Sequence, residues 1–167
     1  MNSRQLKLAL SDSTQRCALP GRERRLVFAR DNAAGAEGRP GEVVRILVVE
    51  DDYLVASNIE AALAQAGLET AGIATTAEEA IDLAASQHPL FVVMDIRLAG
   101  MRDGVDTAIE LFSQYGIRCV FATAHNDRDT RARAEPACPL GWLQKPYTMA
   151  SLVESVRQAL RDLTEGT

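Results

Sequence analysis

Glu50-Asp51-Asp52, Asp95, Thr123 and Lys145 are the residues whose types could do chemistry together, provided that the fold gathers them. Carboxylates crowded into a partly dry crevice repel one another, and such a cluster is relieved by a bound cation or by raised pKa values. Oxygen-only ligands favour Mg2+, which keeps several waters and takes only one or two carboxylates from a protein. Beside that ion a carboxylate can attack phosphorus and form an aspartyl-phosphate. A lysine and a hydroxyl then find work, because each can neutralise or hydrogen-bond the added phosphoryl oxygens. Taken singly, each group has an ordinary role. Acids after a strand are commonly solvated, a lone aspartate caps a helix or turn, a threonine can simply end a strand, and Lys-Pro can be plain loop.

The elements that would carry these groups begin near Val43, where short β-branched runs alternate with stretches of helical period. The pattern predicts strands over Arg45–Val49, Thr70–Ala74, Phe91–Met94, Arg118–Ala122 and Trp142–Gln144. Helices are expected over Leu54–Ala66, Ala77–Ser86, Val105–Tyr115, roughly Asp127–Ala134, and Met149–Leu163. Boundary chemistry agrees. Gly67 and Gly116 stand where a left-handed residue closes a helix, Thr76-Ala-Glu-Glu79 has the form of a capping box, and Thr148 can cap the last helix after Pro146. The first and third strands are apolar on both faces, as central strands of a helix-covered parallel sheet must be. With right-handed crossovers the fold class is α/β, a doubly wound five-stranded sheet with helices on both faces. In such sheets the reactive loops lie beyond the carboxyl ends of the strands. Glu50-Asp51-Asp52 follow the first strand, Asp95 the third, Thr123 the fourth and Lys145 the fifth, so all four groups fall on that one edge.

Composition narrows what the domain can be. At 167 residues and 47% hydrophobic content the chain suits a single core. Its longest apolar run, Leu90 to Met94, is far short of the roughly 20 residues of a membrane-spanning helix. The basic start at Arg4 and Lys7 is followed by apolar residues that Ser11 and Asp12 interrupt, which disfavours a secretory signal. Cys17, Cys119 and Cys138 are odd in number and widely spaced with no CxxC, so neither a disulfide framework nor a zinc site is expected and a cytoplasmic location fits best. Residues 1–41 hold eight Lys/Arg against four Asp/Glu, and the rest holds ten against nineteen, giving +4 and −9. An acidic body therefore follows a basic extension, which is expected to be flexible or loosely ordered. Direct DNA binding by the body is not expected, because phosphate neutralisation needs a surplus of Lys and Arg.

The motifs Ile-Leu-Val-Val-Glu50-Asp51-Asp52, Val-Val-Met-Asp95-Ile-Arg-Leu, Phe-Ala-Thr123-Ala and Leu-Gln-Lys145-Pro146-Tyr147 together resemble the receiver domain of two-component response regulators. The resemblance covers residues 43–165, implies a receiver domain over 42–167, and carries the flavodoxin-like strand order 2-1-3-4-5. By similarity Asp95 is the phosphoacceptor, served by a histidine kinase or a histidine phosphotransfer protein. Asp51 is the direct Mg2+ ligand, Glu50 acts mainly through water, and the backbone carbonyl of Arg97 completes the protein's share of the metal shell with Asp95. Asp52 falls one place beyond the acidic pair and is expected to be solvated or capping. Thr123 matches the switch hydroxyl, Lys145 the pairing cation, and the Lys145-Pro146 peptide is expected to be cis. The resemblance implies a phosphorylation switch in which the face of the fourth helix, fifth strand and fifth helix changes its affinity for a downstream protein. It implies no enzyme beyond the domain's part in its own phosphotransfer and dephosphorylation.

Departures from the family pattern are local. Trp142 stands where a Tyr or Phe usually switches between buried and exposed states, and it could equally be core filler. Leu98-Ala-Gly-Met-Arg-Asp103-Gly104 lacks the usual proline and carries one extra residue, and Arg97 and His125 occupy positions that influence dephosphorylation in relatives. Phe121-Ala-Thr-Ala also resembles a motif of stand-alone receivers in alphaproteobacterial stress signalling. Only Thr164 to Thr167 follow the last predicted helix, so a regulator without its own output domain is expected, although a receiver cut from a larger hybrid kinase also fits. Charges on the fourth helix (Arg128, Arg131, Arg133, Glu135) and the fifth (Glu154, Arg157, Arg161, Asp162) would either pair in a phosphorylation-dependent homodimer or solvate their helices. Two other readings remain: a pseudo-receiver that binds partners without phosphorylation, and a phosphatase of the haloacid dehalogenase type. The latter expects a second Asp two residues after the nucleophile, where this chain has Arg97.

Overall fold

The computed structural model describes residues 44–124 and 128–165. The expectations placed on residues 1–41 and on His125 lie outside these residues. The strands are β1 (Arg45–Val49), β2 (Glu69–Ala74), β3 (Phe91–Asp95), β4 (Arg118–Thr123) and β5 (Gly141–Gln144). The helices are α1 (Tyr53–Gln65), α2 (Ala77–Gln87), α3 (Gly104–Tyr115), α4 (Arg128–Ala134) and α5 (Met149–Glu165), with a 3-10 turn at Glu135–Ala137. All five strands pair in parallel, in the order β2-β1-β3-β4-β5. The predicted elements are therefore present, with ends displaced by one or two residues. The 3-10 turn was not anticipated, because Pro136 near its start reads locally only as a helix stop.

Strand alternation divides the core into two layers. Leu47, Val49, Val92, Met94 and Phe121 point to one face, where buried residues of α2 and α3 and Ala134 of α4 cover them. Ile46, Val48, Phe91, Val93 and Leu143 point to the other, against Ala56, Ile59 and Leu63 of α1 and Leu152, Val156 and Ala159 of α5. β3 is buried along its whole length, as both-face apolarity requires.

Most boundary expectations hold. Gly67 and Gly116 have φ of 75° and 66°, and Thr148 Oγ1 accepts from Ser151 N at 3.1 Å. The capping box at α2 is half formed. Thr76 Oγ1 accepts from Glu79 N at 3.2 Å, but the Glu79 carboxylate passes over Thr76 and accepts from Thr75 N and Thr75 Oγ1 at 2.7 and 2.8 Å. Those donors hold Glu79 below the ordinary carboxylate range.

A carboxylate pocket at the ends of β1 and β3

β1 and β3 are neighbours, with Val49 beside Met94, so the residues that follow them emerge side by side at the carboxyl edge of the sheet. Glu50 lies just beyond β1 and Asp95 closes β3, and they are 3% and 6% exposed. Asp51 stands outside them and is exposed. Carboxylate oxygens of Glu50, Asp51 and Asp95 lie within 4.8 Å of one another. This is the gathering of acids that the sequence led us to expect. Asp52 takes no part in it. Its Oδ1 accepts from Leu54 N and Val55 N at 2.9 and 3.2 Å, so it caps α1.

The opposing cation comes from the far side of the sheet. Lys145 follows β5, and its Nζ donates to Asp95 Oδ2 at 2.6 Å and to Glu50 Oε2 at 3.1 Å. Burial works against the lysine's charge, but the hydrogen bonds and charges of Asp95 and Glu50 outweigh it and hold the ammonium above its ordinary pKa. Glu50 moves further. Burial, with the Asp95 charge beside it, pushes its carboxyl up to about 7 despite the lysine. Backbone donors aim at the pair as well, Arg97 N to Asp95 Oδ1 at 3.1 Å and Asp52 N to Glu50 Oε1 at 3.4 Å. Thr123 ends β4, one residue beyond the Ala122 that pairs with Asp95, and is 3% exposed. Its carbonyl accepts from Lys145 N at 2.8 Å, which ties the hydroxyl-bearing residue to the lysine through the backbone. The Lys145-Pro146 peptide is cis.

Gly104 is a site residue that sequence reasoning left unassigned. A Cβ at this first position of α3 would stand 1.9 Å from the Asp95 carbonyl oxygen, and Gly104 N donates to Ile96 O at 2.8 Å. The helix start is thus pressed onto the end of β3, and only glycine permits that approach. Asp103 before it caps α3, with Oδ1 accepting from Val105 N and Asp106 N, both at 3.0 Å, and it also pairs with Arg133 of α4. The Asp-Gly dipeptide was the visible signal, while its use as a brace needed the tertiary structure. Trp142 stands apart from the carboxylates. It pairs with Phe121 across β4 and β5, with ring centroids 4.8 Å apart, and the Arg131 guanidinium lies 5.0 Å from its ring centre.

An all-oxygen acidic pocket with one lysine, on the edge of a 2-1-3-4-5 sheet, can hold a hard divalent cation and present a carboxylate to phosphorus. Residues 46–157 match the family model of the response regulator receiver domain. The chain belongs to that family. This receiver is 32% identical over 123 residues to the transcriptional regulatory protein PdtaR of Mycobacterium tuberculosis, covering 74% of this chain and 60% of that one. It is 33% identical over 129 residues to the phyllosphere-induced regulator PhyR of Methylorubrum extorquens, covering 76% of this chain and 47% of that one. The chain thus spans about half to three fifths of the length of these relatives. Among solved structures, the signal receiver domain of a modulated diguanylate cyclase from Desulfovibrio desulfuricans aligns with a TM-score of 0.68 and 30% identity, over 75% of this chain and all of that one. The receiver is a two-component signalling module, a switch family whose members meet histidine kinases and downstream targets and bind Mg2+ through such an acidic pocket. No helix among the described residues is long and apolar enough to cross a membrane.

Proposed function

We propose that this receiver accepts a phosphoryl group on Asp95 from a histidine kinase or histidine phosphotransfer protein. The observation that carries this reading is the buried Asp95 carboxylate, held between Lys145 Nζ and Arg97 N and facing Glu50 and Asp51. An Asp95 carboxylate oxygen forms the new bond to phosphorus as the bond to the donor imidazole nitrogen breaks, and the electron pair leaves with the imidazole. Lys145 donates to the nucleophile and then pairs with a phosphoryl oxygen, while Thr123 supplies a hydroxyl at the same edge. Glu50, Asp51, Asp95 and the Arg97 carbonyl would hold Mg2+, which supplies charge neutralisation for the incoming phosphoryl oxygens. The receiver unit is residues 42–167, preceded by a basic extension. Its signal passes by protein contact through α4, β5 and α5, in the cytoplasm.

Intact mass after incubation with Mg2+ and acetyl phosphate tests this reading, beside an Asp95→Asn control. A single phosphoryl adduct that needs Mg2+ and is absent from the control is expected. If folded wild-type protein acquires no adduct from acetyl phosphate or a phosphorylated histidine donor, the pseudo-receiver reading takes its place.

A further inference from the structure

Resting on the reading of Asp95 as the acceptor, we propose that Arg133 is a positioning residue that ties α4 to the acceptor loop through Asp103, so that the state of the Asp95 site reaches Trp142 by way of α4. The tie starts at the brace already described. Asp103 cannot shift far without moving Gly104, and Gly104 is pressed against the Asp95 carbonyl. One oxygen of Asp103 caps α3 and the other pairs with Arg133, whose guanidinium also reaches Asp106 Oδ1 at 3.5 Å. Two residues earlier in the same helix, Arg131 lies over the Trp142 ring. Residues two apart lie on opposite sides of a helix, so α4 is held from two directions, by α3 through Arg133 and by β5 through Arg131. Turning or sliding α4 to follow the acceptor loop necessarily alters the contact on Trp142.

Ala134 is the one buried residue of α4, so little apolar packing opposes a shift of the helix. The Arg133 and Asp103 side chains are 49% and 34% exposed, and a pair so open to water biases the helix position by no more than about fivefold. A weak tie suits this task, because it favours one position and still yields when the loop rearranges.

Trp142 is the chain's one tryptophan, so tryptophan emission reports the surroundings of this ring. Acrylamide quenching is compared in the full chain for wild type, Asp103→Asn, Arg133→Gln and the double variant. Asparagine keeps the cap oxygen of α3, so the fold is retained. With Arg133 present, Asp103→Asn should raise quenching of Trp142 about two- to threefold, and in the Arg133→Gln background it should add nothing. Equal effects in both backgrounds would overturn the tie. With Mg2+ and acetyl phosphate, Arg133→Gln should acquire the same mass adduct as wild type while losing most of the wild-type change in Trp142 emission. An undiminished emission change would also overturn it. A wild-type protein that acquires no adduct removes the acceptor reading instead, and the four-protein comparison still decides whether the tie exists.

Discussion

The end of β3 and the helix α4 are held by opposite means. Asp95 is buried at the foot of a strand with no exposed residue, its carboxylate meets a lysine and a backbone N–H, and the start of α3 leaves no room beside it even for a methyl group. α4 is seven residues long, buries only Ala134, and makes two arginine contacts, Arg131 on Trp142 and Arg133 on Asp103. Close packing resists displacement steeply with distance, whereas half-exposed ion pairs and ring contacts exchange partners at little cost. The contrast separates an acceptor held by close packing from a helix held by contacts that yield more easily.

The largest effect should come from breaking the rigid side. Gly104→Ala places a methyl group into the Asp95 carbonyl, and overpacking against backbone of this kind costs about 3 kcal/mol. Urea unfolding should show that loss, and intact mass should show little or no phosphoryl adduct. Stability within about 1 kcal/mol of wild type would mean that α3 relaxes away from β3, and the contrast would lose its firmer half.

A smaller effect probes the charge stored in the pocket. The Glu50 carboxyl is raised in the folded protein to about 7, from an ordinary value of 4.5. Between those values the folded state holds a proton that the unfolded chain has released, so stability of the metal-free protein falls as pH rises through this window. The loss should be on the order of 1–3 kcal/mol, seen as a lower urea midpoint in EDTA at about pH 8 than at about pH 5. Glu50→Gln should flatten that slope, and Mg2+ should restore stability most at the higher pH. A slope of the same size in Glu50→Gln would place the proton elsewhere.

The smallest effect belongs to the half-exposed side. Arg133→Gln should lower global stability by less than about 1 kcal/mol in urea unfolding. A larger loss would show that α4 is anchored as firmly as β3, and the comparison would fail.

What was legible in the sequence follows the same division. The strands could be placed because β1 and β3 are apolar on both faces, and the pocket because its acids and lysine stand immediately after strands whose ends share one edge. Asp52 could be set apart from the acidic pair, as solvated or capping, because it lies one place past it. The pairing of Arg133 with Asp103 could not be foreseen, since thirty positions separate the two and each looks like an ordinary surface charge. Several charges weighed for a dimer likewise have partners within the chain: Arg131 on Trp142, Arg133 on Asp103 and Glu154 on Arg161. The reach of Glu79 to Thr75 depends on side-chain direction that a four-letter motif does not encode.

Lys145 also measures distance. It follows β5, while its carboxylate partners stand at the ends of β3 and β1, so β4 lies between cation and acid. Two inter-strand spacings come to roughly 10 Å, a gap that the lysine stem, its hydrogen bond and the Asp95 side chain close together past the end of β4, where Thr123 stands. A side chain shorter by a methylene falls short of Glu50, and a guanidinium brings a planar fork where a compact ammonium now serves two carboxylates. Reach and slenderness are therefore as much a requirement at position 145 as positive charge.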